Sequence, residues 1–180
     1  LRDTSPAQES GSSIYFHIRL LDNAGNWGAS AHRGPFYVDV TTPSEVSSLQ
    51  STSHSESTWT SDNTIAFSWT TATDVHSGLV KHYYLVDTTL GTDINGDETE
   101  LASPNVSVEN YSLDDGNEIY IHVAGEDAVG NIGDTETIGP FYVDTVTPDA
   151  GGIADNVTWT NNDDPGVISW TDATEQGTYQ

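Results

Sequence analysis

The chain of 180 residues contains no cysteine, only four lysines and arginines, and no long apolar run. Without cysteine there is no disulfide framework, so a secreted form must rely on core packing, supplemented by any metal it binds. Twenty-eight acidic residues against four basic ones give a formal net charge of −24. That charge repels phosphate backbones and anionic lipid, which argues against nucleic-acid and membrane-surface binding. No stretch of 18 apolar residues offers a membrane-spanning helix. Helical periodicity is missing as well: no dozen residues keep apolar positions at i, i+3, i+4 and i+7. No signal peptide is visible, as expected if the natural N-terminus lies elsewhere.

What is present is repetition. Residues 11–43 return at 116–148, shifted by 105 positions without a gap, with 16 of 33 positions identical. The shared block includes Gly34–Asp39 (GPFYVD) against Gly139–Asp144. A second echo sets the phase: Trp59 matches Trp159, and Phe67-Ser68-Trp69-Thr70 matches Ile168-Ser169-Trp170-Thr171. A period near 100 residues is the size of a small β-sandwich domain, and self-similarity at that spacing predicts a tandem array. The expected division is the C-terminal part of one repeat at 1–41, a complete repeat at 42–146 and the N-terminal part of the next at 147–180. The ends cut through repeats, so the chain reads as an excerpt. Joining one copy's end to another's start would leave about 26 residues of a repeat missing by this alignment. The sequence therefore favours truncation over completion in trans.

Carboxylate excess suits a calcium-loaded surface or a solubility device for salty surroundings. A disordered tail is a poor third, because five Trp, eight Tyr and four Phe are spread along the chain. Short runs of period two, punctuated by Gly, Pro, Asn and Asp, predict antiparallel strands near 47–52, 64–70, 80–87, 105–108, 118–125 and 138–143. Six or seven such strands predict an all-β fold, a two-sheet antiparallel sandwich. Trp69 and Trp170 lie in phase with apolar strand positions and are expected in the core. Trp59 and Trp159 precede strands, placed to pack under a loop. Trp27 sits in a turn, exposed. His17 and His122, equivalent by the repeat, share strand parity with Tyr15 and Tyr120 and are expected on a solvent-facing surface.

The order of these pieces resembles the fibronectin type III and bacterial immunoglobulin-like repeats of large microbial surface proteins. It runs from Thr42-Pro43 through Phe67-Ser68-Trp69-Thr70, Tyr83–Val86 and Ile119–Val123 to Asp127-x-x-Gly130-Asn131 and a final strand. Asp74-x-x-Ser77-Gly78 and the GPFYVD block are similar to that microbial branch. The resemblance implies an extracellular, cell-surface location and a structural, adhesive or filament role without enzymatic activity. Partners would be neighbouring repeats or further copies of the chain, or, in the alternative, a glycan or receptor bound by a module or spacer of a secreted hydrolase.

Candidate chemistry is limited. Six histidines show no H-E-x-x-H or H-x-x-x-H spacing, so zinc lacks a ligand set. No nucleophile-elbow sequence occurs. Calcium is the sharper candidate as a cofactor. In the fibronectin-like topology Asp39 with Thr41, Asp74, Asp127 and Asn131 gather at the junction where one repeat enters the next, and hard oxygen ligands suit calcium. The matching positions in flanking repeats are Asp22, Asn26, Asp144 and Glu175. The same Asp-Asn-Gly chemistry also serves ordinary turns, where Asp caps its own loop. Asp93, Asn95 and Asp97 open like a calcium-binding loop, but Glu98 stands where glycine is required and Pro104 where a bidentate Glu belongs; the stretch to Glu100 reads as an acidic loop between strands. Asp114-Asp115 before Gly116 is a turn. Asn105, Asn110 and Asn156 head N-glycosylation sequons.

Overall fold

The computed structural model describes residues 7–102 and 106–148, together with the backbone of two short strands at 153–155 and 168–170. The described residues are all β, with no helix. Strands β1 (Ser13–Ile18) and β2 (Ala31–Tyr37) form an antiparallel hairpin. The central unit comprises β3 (Ser47–Ser51), β4 (Trp59–Thr60), β5 (Thr64–Thr70), β6 (Leu79–Asp87), β7 (Thr99–Ala102), β8 (Ser107–Ser112), β9 (Gly116–Asp127) and β10 (Glu136–Val143). A last antiparallel ribbon pairs β11 (Ile153–Asp155) with β12 (Ile168–Trp170).

In the central unit a three-stranded sheet, β3-β5-β8, faces a five-stranded sheet, β4-β10-β9-β6-β7. The two share one hydrophobic cluster, which makes the unit a β-sandwich. Period-two alternation builds it. Ile65, Phe67 and Trp69 of β5 point inward and are buried, while Ile119, Ile121 and Val123 of β9 and Phe141 and Val143 of β10 meet them from the opposite sheet. Trp69 is a core residue, as its phase required. Trp170 lies on β12, and its side chain falls outside the described residues.

Four expectations need correction. The strand expected near 105–108 is β8, Ser107–Ser112, four residues further along at its C-terminal end. Thr99 and Glu100, read as acidic loop, belong to β7, because Lys81–Tyr84 of β6 supplies an edge that pairs with them. Trp59 does not lie under a loop: it forms β4, pairs in parallel with Tyr142, rests against that ring at 5.1 Å and stays half exposed. His122 is not solvent-facing. It does point away from the main core, but the segment between β6 and β7 folds over that face, and Ile94 packs with Tyr83, Ala124 and Ile132. His122 is consequently fully buried and Tyr120 nearly so. His17 is exposed, as expected.

The β1–β2 hairpin repeats β9–β10 at the offset of 105. Ile14↔Phe36, Phe16↔Arg33 and His17↔His32 correspond to Ile119↔Phe141, Ile121↔Ile138 and His122↔Thr137, with the register slip at the same place. Both Gly-Pro bonds, Gly34-Pro35 and Gly139-Pro140, are cis. Glycine is required before each proline. Its φ is 135° or 130°, and a Cβ would sit 2.6 Å from the carbonyl oxygen of Ile14 or Ile119.

Candidate metal site at a junction

The site is built from turn chemistry. Asp127 ends β9, and its Oδ1 accepts the amides of Val129 (2.9 Å) and Asn131 (2.8 Å), closing the turn into β10. Asp74 does the same after β5: its Oδ1 accepts the amides of His76, Ser77 and Gly78 at 3.1, 2.9 and 2.7 Å. Asp39 follows β2. Its Oδ1 accepts the Thr41 amide and hydroxyl, at 3.1 and 2.8 Å, and its Oδ2 accepts the Ser77 amide at 3.0 Å, a bond that ties the segment after β2 to the central unit. Asn131 adds a second tie, donating from Nδ2 to the Thr41 carbonyl at 3.0 Å and to Asp127 Oδ2 at 2.7 Å.

These bonds bring three carboxylates together. One oxygen from each of Asp39, Asp74 and Asp127 lies within 4.8 Å of the other two. Asp127 is buried, and the Asp39 side chain is 5 % exposed. Ser77, and then the Thr41 hydroxyl and amide, hold Asp39 well below the ordinary carboxylate range despite its desolvation. At Asp127 burial opposes ionisation, but the Asn131 side chain, with the Asn131 and Val129 amides, outweighs it and lowers the pKa. Asp39 and Asp127 are thus kept charged beside a third carboxylate. Among the described residues no lysine or arginine pairs with any of the three; the nearest basic group in an ion pair is His76, whose Nδ1 is 3.8 Å from Asp39 Oδ1. Three hard oxygens converging without a strong cation can take a divalent ion of calcium type, with carbonyls and water completing six to eight ligands. Asn131 turns its amide nitrogen to Thr41, so it positions the linker and presents a donor there.

The remaining candidates are placed differently. Asp22 and Asn26 reproduce the Asp127–Asn131 turn, with bonds of 2.9, 2.8 and 3.0 Å, but Asp22 is exposed and joins no acidic group among the described residues. Asp144 accepts the Val146 amide at 2.9 Å, as Asp39 accepts that of Thr41; its expected partner Glu175 lies outside the described residues. Asn95 and Glu98 are engaged within their own loop: Asn95 Oδ1 accepts the Asp97 amide, and the Glu98 carboxylate accepts the amides of Asn95 and Gly96. Asp93 belongs to the same loop, and Ile94 between them anchors it. Asp115 accepts the Thr145 amide and hydroxyl, tying down the segment after β10. Asn110 is exposed on β8, while Asn105 and Asn156 lie outside the described residues.

Two groups were not foreseen. His76 has no sequence signal of its own beyond its place inside the Asp74-x-x-Ser77-Gly78 motif. His122 bonds Thr137 Oγ1 through Nδ1 at 2.8 Å and Asp87 Oδ1 through Nε2 at 3.0 Å. The three residues have the donor order of a nucleophile relay, but the imidazole is wholly buried, which leaves no approach for a substrate at the ring. Finding the set requires the cross-strand register, which sequence spacing does not supply.

No protein-family model matches the chain, and no curated protein sequence matches it.

Proposed function

We propose that the protein is a non-enzymatic structural segment of an extracellular tandem array of fibronectin type III or immunoglobulin-like sandwiches, serving as a stalk, adhesin shaft or filament, with calcium stiffening the junction between units. The observation that carries this reading is the convergence of Asp39, from the segment leaving the first hairpin, with Asp74 and Asp127 of the central unit. A cation there would neutralise three carboxylates contributed by both sides of a junction, so binding and junction rigidity would be linked. The repetition of hairpin register at the sequence period supports the array. The glycan-binding alternative rests on Trp27, which is 57 % exposed, but the Arg19 guanidinium lies 4.2 Å above its ring and competes with a stacked sugar.

The test is thermal unfolding of the 180-residue chain with excess calcium and with chelator. A ligand held only by the native state at about 1,000 times its Kd adds about 4 kcal/mol, which raises Tm by roughly 10 °C or more in a domain of this size. The increment should disappear in Asp127→Asn and persist in Asp22→Asn, which alters the same kind of turn away from the cluster. An identical melt in both buffers would leave the carboxylates as turn caps.

A further inference from the structure

The segment between β6 and β7 carries a chemistry that the junction does not use. Of the chain's asparagines, Asn95 alone precedes a glycine. Glycine leaves the amide nitrogen after the asparagine unshielded by a Cβ. Asn95 is exposed, whereas its neighbour Ile94 is buried with Tyr83, Ala124 and Ile132. The Ile94 amide also donates to Thr135 Oγ1 at 2.9 Å. The backbone before Asn95 is thereby anchored while its side chain stays open to water.

Hydrogen bonds within the loop prepare Asn95 for reaction. Its Oδ1 accepts the Asp97 amide at 3.1 Å. That bond closes a ring containing both the Asn95 Cγ and the Gly96 nitrogen, the two atoms that a succinimide joins. It also polarises the side-chain carbonyl, as an oxyanion donor does. The Gly96 amide donates to Glu98 Oε2 at 2.9 Å, which sets a carboxylate on the proton that must leave. Both oxygens of Glu98 accept the Asn95 amide at 3.2 Å, so the carboxylate is held in place.

We infer that Asn95-Gly96 is a self-modification site, at which Asn95 deamidates through a succinimide with Glu98 as the base. The Gly96 nitrogen attacks the Asn95 Cγ, forming a C–N bond as its proton passes to Glu98. The Cγ–Nδ2 bond breaks, and Nδ2 leaves as ammonia with the proton that Glu98 returns. Water then opens the ring at either carbonyl and leaves aspartate or isoaspartate at position 95. The product adds a negative charge beside Asp93, Asp97 and Glu98, and isoaspartate inserts a methylene into the main chain next to Ile94. Both changes oppose the fold of the loop that covers His122, so the reaction is a slow, irreversible loosening of that face. The inference rests on this loop alone and does not depend on calcium or on the array.

Mass spectrometry with peptide mapping tests it on the folded 180-residue chain, incubated in chelator at neutral and mildly alkaline pH. A gain of about 1 Da should appear at Asn95 faster than at any other asparagine. It should appear at least as fast as in the same chain unfolded in guanidinium. Glu98→Gln keeps the side chain's shape and removes the base, so it should slow the folded reaction several-fold and leave the unfolded one unchanged. The wild-type rate should vary little with pH in this range, because the base is built in, while that of Glu98→Gln should climb with hydroxide. An Asn95 that persists in the folded chain but converts in the unfolded one overturns the proposal, since the loop's bonds would then be protective. A Glu98→Gln chain with the wild-type rate, or with the wild-type pH dependence, also overturns it.

Discussion

Two hairpins of this chain, β1–β2 and β9–β10, share register, cis proline bonds and turn hydrogen bonds, yet one lies bare and the other forms half of a core. Local geometry is therefore written in the hairpin itself. The Asp-x-x-Gly-Asn turn closes identically at Asp22 and Asp127, and Leu21↔Trp27 and Glu126↔Ile132 form the same bridge. Burial belongs to the partner. The same apolar alternation is stabilising only where another sheet removes it from water, at about 25 cal/mol per Å² of apolar surface.

The largest expected difference follows directly. Phe141→Ala removes a ring that is 1 % exposed in the centre of the sandwich and should cost about 3–5 kcal/mol. Phe36→Ala changes the matching, half-exposed ring and should fall within about 0.5 kcal/mol in dilute solution, as surface substitutions do. Urea denaturation of the two variants measures both numbers. Equal costs would mean that the first hairpin is packed in solution as tightly as the second.

The histidines give the next contrast. His122→Ala strands Asp87, Thr137 and a cavity within a buried network, at a cost of about 1–3 kcal/mol for the unmade bonds. His17→Ala breaks exposed contacts with His32 and with the Tyr15 ring and should be close to neutral in the same denaturation experiment. If His17 proved as costly as His122, the outer face of the first hairpin would be covered too.

Much of this architecture could be read in the chain. Alternation alone places β5 at 64–70, because the large apolar Ile65, Phe67 and Trp69 are separated by the small residues Ala66 and Ser68, the pattern of a half-buried pleat. The convergence of Asp39, Asp74 and Asp127 was expected from topology, and the three carboxylates do meet. What escaped was decided by tertiary partners. Thr99–Ala102 has an acidic, weakly β-prone sequence and becomes a strand because β6 offers it an unpaired edge. His122 has the alternation of an exposed residue and is buried because a loop anchored by Ile94 crosses that face. Two-residue β4 has no periodicity to detect; it exists through pairing with Tyr142 and Val143.

The smallest effect lies at a position where the hairpins differ by one carboxylate. Glu136 of β10 corresponds to Ala31 of β2. Burial, and then the neighbouring Glu45, raises the Glu136 pKa above its ordinary 4.5. A carboxyl whose folded pKa is raised contributes its stability below the unfolded value and loses it as pH climbs through the folded one, so at neutral pH the ionised Glu136 destabilises the sandwich. Asp39, Asp87, Asp127 and Glu100 are shifted downward, so they act in the opposite sense: their contribution is present above the ordinary carboxylate pKa and disappears as pH falls below it. The wild type should therefore be most stable on the mildly acidic side of neutrality, with a shallow loss upward from Glu136 and a steeper loss downward from these four groups together with Asp22 and Asp62, which are lowered as well. Glu136→Gln keeps the side chain's shape and removes the upper arm alone. Melting temperatures from pH 3 to 8 should converge with wild type at low pH and exceed it at neutral pH; a variant that melts below wild type at neutral pH would mean that Glu136 is held by a favourable partner as an anion.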